Sequence, residues 1–199
     1  MLLARPGPVL ALVFVFNGTA CGDPPDPTNC SGFVGVRGQP AQLELLILGP
    51  DGVPAPAQDG ARVPLVKAPQ GGKHVFAGAR VRNLDTCPIK LTAAIREPET
   101  QKVQFETRPV QFIDGGDGWA YARQPTQISD YGNVGLCPNQ WASKDIYEQS
   151  YTLEVVVADR DQRAASRTIT IVPYCSQPEF AAECMCECKL GYVLGQCTP

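Results

Sequence analysis

Tyr151-Thr152-Leu153-Glu154-Val155-Val156-Val157-Ala158-Asp159-Arg160-Asp161-Gln162-Arg163-Ala164-Ala165-Ser166-Arg167-Thr168-Ile169-Thr170-Ile171-Val172 is the stretch whose reading decides the fold. Tyr151, Leu153, Val155 and Val157 recur at every second position. A period of two buries one face of a strand and leaves the other wet. A polar, Asp-rich turn follows. The chain then returns through Ser and Thr to Ile169 and Ile171. β-Branched residues on both sides of a polar turn predict a β-hairpin.

The same alternation recurs upstream. Leu43, Leu45 and Ile47 form one set, and Ile89, Leu91, Ala93 and Ile95 another. Val103 with Phe105 and Val110 with Phe112 follow after short turns. Turn clusters separate the sets: Gly49-Pro50-Asp51-Gly52, Gln70-Gly71-Gly72, Glu97-Pro98-Glu99-Thr100 and Asp114-Gly115-Gly116-Asp117-Gly118. Short strands at this spacing predict an all-β, antiparallel β-sandwich over 33–174 rather than an α/β fold. No period of 3.6 runs beyond two turns. The passage 151–172 resembles the last hairpin of bacterial immunoglobulin-like and PKD-like domains. There an alternating strand meets an Asp-rich turn with Gly and an Ala/Ser/Thr-rich return strand. Gln162 stands where Gly is usual. The resemblance implies an immunoglobulin-like sandwich.

Totals narrow the function. The chain has 199 residues, a formal charge of -3, 44% hydrophobic and 19% charged residues, with 19 Gly and 19 Pro. That supports a buried core with frequent turns. Lys and Arg are scattered singly, so no nucleic-acid partner is expected. The single histidine, His74, opens a strand in Gly71-Gly72-Lys73-His74-Val75. Ser-His-Asp or Cys-His chemistry would have to use it, and a His-rich metal site is excluded. No Gly-x-Ser-x-Gly, His-Glu-x-x-His or phosphate-cradling loop accompanies it.

Residues 1–20 predict a signal peptide. Arg5 precedes an apolar run from Val9 to Phe16, shorter than the roughly 20 residues a membrane span needs. Gly18-Thr19-Ala20-Cys21 resembles the lipobox of bacterial lipoproteins, with Gly18 where leucine is usual. The resemblance implies cleavage before Cys21 and a diacylglycerol with palmitate-class chains on its thiol. Ordinary secretion through an A-x-A-like site is the alternative. Cysteine parity favours lipidation: of nine cysteines, assigning Cys21 to a thioether leaves an even set. Residues 21–32, with Pro24, Pro25 and Pro27, read as an extended tether. The expected membrane contact is the lipid anchor alone. The absence of Asp immediately after Cys21 favours the outer membrane.

Asp114, Asp117, Asp159 and Asp161 lie in turns and offer oxygen ligands for calcium, but Asp beside Gly is explained by turn chemistry. The segment 114–146 reads as long and mostly irregular. It carries Trp119, Tyr121, Tyr131 and Trp141, a candidate binding loop whose aromatics either anchor a partner or fold back over the end of the sandwich.

Residues 175–199 form a cysteine-rich tail. In an extended strand Cys184, Cys186 and Cys188 point to one side and rarely bridge each other. Each then needs a partner among Cys30, Cys87, Cys137, Cys175 and Cys197, so the tail is stapled to the body. Cys87 with Cys137 is the expected pair outside it, leaving Cys30 and Cys175 for Cys184 and Cys186. The piece from Cys186 to Cys197 is similar to the C-terminal signature of EGF-like modules, which implies Cys188 with Cys197. A thiolate site for zinc or copper(I) is the alternative. The C-x-C-x-C spacing and an oxidising compartment favour disulfides, so no metal or cofactor is expected. Together these readings predict a non-enzymatic envelope lipoprotein presenting a β-sandwich for protein or surface-glycan contact. The alternatives are an accessory subunit of an envelope or secretion complex, and a carboxylate-based glycan-active enzyme.

Overall fold

The computed structural model of the chain describes residues 30–197. The expected signal peptide, Cys21 and most of the tether lie outside them. The elements, in chain order, are β1 (Phe33–Val34), β2 (Gln42–Leu48), β3 (Pro54–Pro56), β4 (Ala61–Lys67), β5 (Lys73–Arg82), β6 (Leu84–Asp85), β7 (Ile89–Arg96), β8 (Val103–Val110), β9 (Phe112–Asp114), β10 (Ala120–Ala122), β11 (Gly132–Cys137), β12 (Tyr151–Asp159), β13 (Ala164–Cys175) and α1 (Ala181–Glu187). The fold is mostly β, in curled sheets.

The hairpin of 151–172 is present as β12 and β13, antiparallel from Tyr151 opposite Ile171 to Ala158 opposite Ala164. Gln162 occupies the left-handed region at φ 64°. β7 pairs with the other edge of β12 and with β8. The alternating sets bury one face as the period requires: Tyr151, Leu153, Val155 and Val157 are fully buried, as are Leu91, Ala93 and Ile95. They pack against Leu45, Ile47, Val75, Ala77, Val81 and Val134 from the opposing strands, in one core.

Two features depart from a plain antiparallel sandwich. First, β4 runs parallel to β13, with Ala61 opposite Ile171 and Leu65 opposite Cys175. The Gly60 turn launches β4 in the direction of β13, its N–H donating to Thr170 O at 2.8 Å. Val66 and Lys67 then pair with His74 and Lys73 of β5, so β4 joins the two halves of the sheet. Second, Phe105 faces solvent, at 67% exposure. The register sets Gln104, Glu106 and Arg108 opposite Ile95, Ala93 and Leu91, on the core side. These polar chains close the gap where curling brings β8 beside β11. Glu106 accepts the Asn133 N–H, and Arg108 donates to Ile128 O and Ser129 O. Inward charge on an edge strand also discourages pairing with another chain.

The tail is helical where an extended strand was expected. A turn at Pro178–Phe180 leads into Ala181, Ala182 and Glu183, good helix formers. At about 100° per residue, Cys184 and Cys188 share a face and Cys186 points the other way. That splits the triplet. Cys184 bonds to Cys175, which ends β13, and Cys188 to Cys137, which ends β11, while Cys186 closes an outer loop with Cys197. Cys30 pairs with Cys87. The expected pairs Cys87 with Cys137 and Cys188 with Cys197 are therefore replaced, as is the expected bridge from Cys30 to Cys184 or Cys186. Of the two options for Cys175, Cys184 is the partner. Beneath the helix Lys73, 1% exposed, donates to Glu183 at 2.6 Å and Glu187 at 3.3 Å, and Lys67 donates to Glu183 at 2.9 Å. The lysines hold the Glu183 carboxyl below its ordinary value, through hydrogen bonds that outweigh burial.

Candidate binding face along β5

β5 is ten residues long, and its pleat sends Val75, Ala77, Ala79 and Val81 into the core. The opposite face carries His74, Phe76, Gly78, Arg80 and Arg82. The segment 114–146 runs beside β5 and is more regular than expected, because it contains β10 and β11 on the edge of β5 and a 3-10 turn at Ile128–Asp130. Trp119, Tyr121 and Tyr131 contact this face at successive levels, while Trp141 packs at its end against the main core.

At the Arg82 end, Trp119 lies under two guanidinium groups, Arg80 at 4.8 Å and Arg82 at 4.7 Å from the ring centre. Arg80 also pairs with Glu44 and donates to the Tyr121 hydroxyl at 3.0 Å, which donates to Asp117 at 2.7 Å. That hydroxyl and the Trp119 N–H hold the Asp117 carboxyl below its usual value. The aromatics here are clasped by cations rather than left bare.

In the middle, Tyr131 is 1% exposed and packs with Phe76, Leu48 and Ala68 in a second apolar cluster. Its ring fits because residue 78 is glycine: a Cβ there would come within 2.4 Å of Tyr131 Cδ1. The hydroxyl donates to Pro125 O at 2.7 Å. Burial, with the Asp130 charge, pushes the phenol up to about 12. Tyr131 is thus core, not a binding anchor.

At the other end, Trp141 and His74 line an open cleft of about 480 Å³ with Gln70, Gln104 and Gln140. The turn before β5 closes over β11 through Gly72, whose φ of +73° suits glycine. A Cβ there would sit 2.5 Å from Cys137 O. Trp141 is half-buried. Its indole N–H donates to Leu136 O at 3.0 Å, and its ring lies 5.8 Å from Tyr151. His74 stacks on Phe76 and pairs across the ladder with Gly135. Its Nε2 lies 3.1 Å from Gly71 O. A carbonyl only accepts, so Nε2 carries a hydrogen; Nδ1 is buried with no hydrogen-bond partner among the described residues.

The loop that carries Trp141 is fixed from three sides. Buried Glu97 accepts from Ser143 N at 2.9 Å and Ser143 Oγ at 2.7 Å, and also from the Thr100 hydroxyl. Burial opposes ionisation of Glu97, but these bonds prevail and keep its carboxyl below the ordinary value. Asn139 donates to Lys144 O and takes the Ala142 N–H. Asn139 N and Ile146 N donate to tail carbonyls, Glu187 O and Cys188 O.

Elsewhere, Asp114, Asp117 and Asp159, considered for calcium, serve their own turns. Asp159 Oδ1 accepts from Asp161 N and Arg163 N, and Asp114 Oδ1 from Gly116 N. Among the described residues no group of three His, Cys, Asp or Glu side chains is placed to hold a metal ion. The cleft residues Gln104 and Gln140 gave no motif in the sequence. They meet only because the sheet curls and the tail pins the loop. Comparison with known proteins returns no matching family model, no matching curated protein and no matching solved structure.

Proposed function

We propose that the chain is a non-enzymatic, lipid-anchored envelope protein that presents an immunoglobulin-like β-module for contact with a protein or a surface glycan. The observation that carries this reading is the β5 stripe ending in an open cleft whose lining has no carboxylate and no ammonium or guanidinium group. The one acid–base side chain in it, His74, has Nε2 committed to Gly71 O and Nδ1 buried, so the lining suits recognition by hydrogen bonds and ring contact better than acid–base chemistry. The position of the first described residues supports it. Cys30, where the described chain begins, is bonded to Cys87, two residues before β7. Gln104 of the cleft lies opposite Ile95, near the far end of that strand. Six residues of strand separate the two by about 20 Å, so the cleft lies well away from the point where the described chain begins.

The test has two arms. The native chain should enter the detergent phase and Cys21→Ser the aqueous phase or the precursor pool. Cross-linked affinity capture from the protein's own envelope should recover a partner that Trp141→Ala loses. A Cys21→Ser protein that stays membrane-bound in mature form sinks the anchor. Capture unaffected by Trp141→Ala moves the contact away from the cleft.

A further inference from the structure

We infer that the His74–Trp141 cleft binds a neutral saccharide, an inference that rests on the contact-module reading and names the ligand class of that site. Three carboxamides, Gln70, Gln104 and Gln140, stand around it, with Trp141 and His74 in the wall. Each carboxamide offers both a donor and an acceptor. That matches hydroxyl groups, which also both donate and accept. It does not match a phosphate or carboxylate, for which the lining has no cation, or an ammonium group, for which it has no anion.

A further observation favours binding. The cleft is built from fixed parts. Cys137 is bonded to Cys188, Glu97 clamps Ser143, and the Trp141 indole is hydrogen-bonded to Leu136. A site fixed before binding loses less entropy on association, which matters for a weakly bound sugar. The Trp119 end of the stripe makes a poorer platform, since Arg80 and Arg82 already occupy its ring.

The experiment is a ¹⁵N-edited NMR titration of the full processed chain in a phosphocholine detergent, which carries no sugar headgroup. The probes are maltohexaose, triacetylchitotriose and, as an anionic counter-probe, trigalacturonate. The chain has two tryptophans, so the Trp119 indole is an internal control. At least one neutral probe should shift the Trp141 indole and the carboxamides of Gln104 and Gln140. The shift should saturate with a dissociation constant on the order of a millimolar or tighter, while Trp119 stays still. Gln104→Ala and Gln140→Ala should each weaken it about tenfold, with an otherwise native spectrum showing that the fold persists.

The inference is overturned if neither neutral probe moves the Trp141 indole. It is also overturned if trigalacturonate binds as tightly, or if both glutamine variants leave binding unchanged. Envelope capture that stays sensitive to Trp141→Ala without any saccharide shift overturns this inference alone. Loss of both overturns the contact module with it.

Discussion

At the scale of single residues, the informative positions are those where shape leaves no slack. Gly78 lies under Tyr131, with Cδ1 and Cε1 at 2.4 and 2.6 Å from any added Cβ. Gly78→Ala should therefore destabilise the protein by about 1–3 kcal/mol through overpacking, read from urea unfolding. Tyr131→Phe should cost less, about 1 kcal/mol, because it removes only the bond to Pro125 O. If Gly78→Ala is neutral, the ring does not rest there. The opposite sign is expected at Gln162, whose φ is 64°. A side chain there costs roughly 1–2 kcal/mol, and glycine's extra unfolded-state entropy returns part of it. Gln162→Gly should raise stability by about 0.5–1 kcal/mol, and a lower melting temperature would refute it. The turn's need for glycine was legible in the sequence. The burial of Tyr131 was not, because nothing local marks the space that Gly78 leaves for it.

At the scale of elements, alternation reported what it physically measures. Where one face meets a core, as in β7 and β12, the apolar set and the buried set coincide. It misled at Phe105, because the core side of β8 is filled by polar chains that close the sheet against β11. It was silent on α1, since two turns are too short to establish a period. That silence cost the cysteine pairing: a strand puts residues 184, 186 and 188 on one side, whereas a helix sends residue 186 away from the other two. The bridges now differ in what they restrain. Cys137–Cys188 spans 51 residues and locks helix to body, while Cys186–Cys197 spans 11 and closes an outer loop. Chain-entropy estimates give roughly 4 and 3 kcal/mol respectively. Replacing Cys137 and Cys188 by Ser should thus cost about 1–2 kcal/mol more than replacing Cys186 and Cys197. Equal losses would mean that Cys175–Cys184 and the Lys73 ion pairs hold the helix in place without Cys137–Cys188.

At the scale of the whole molecule, two carboxylates tie distant parts together, and both have folded pKa values lowered from about 4.5. Glu97 joins the β7–β8 turn to the Trp141 loop, and Glu183 joins the tail helix to β4 and β5. A depressed carboxylate stabilises the fold fully above its unfolded pKa and loses that contribution as pH falls through the lower, folded value. Stability should therefore hold, as far as these groups go, down to about pH 4.5 and fall below it. Protonation of Glu183 also removes a partner from buried Lys73, so the tail should loosen in the same window. Urea midpoints from pH 7 to pH 3 measure this. Glu97→Gln should lower stability at pH 7 by about 1–3 kcal/mol, because the amide nitrogen cannot accept and leaves donors of Ser143 or Thr100 unpaired. Its acid decline should also be shallower than that of the native chain, since it no longer takes up that proton. Glu183→Gln should flatten the decline independently, as the two groups share no partner. Variants whose curves run parallel to the native one across pH 5 to 3 would show that the acid response resides in other carboxylates.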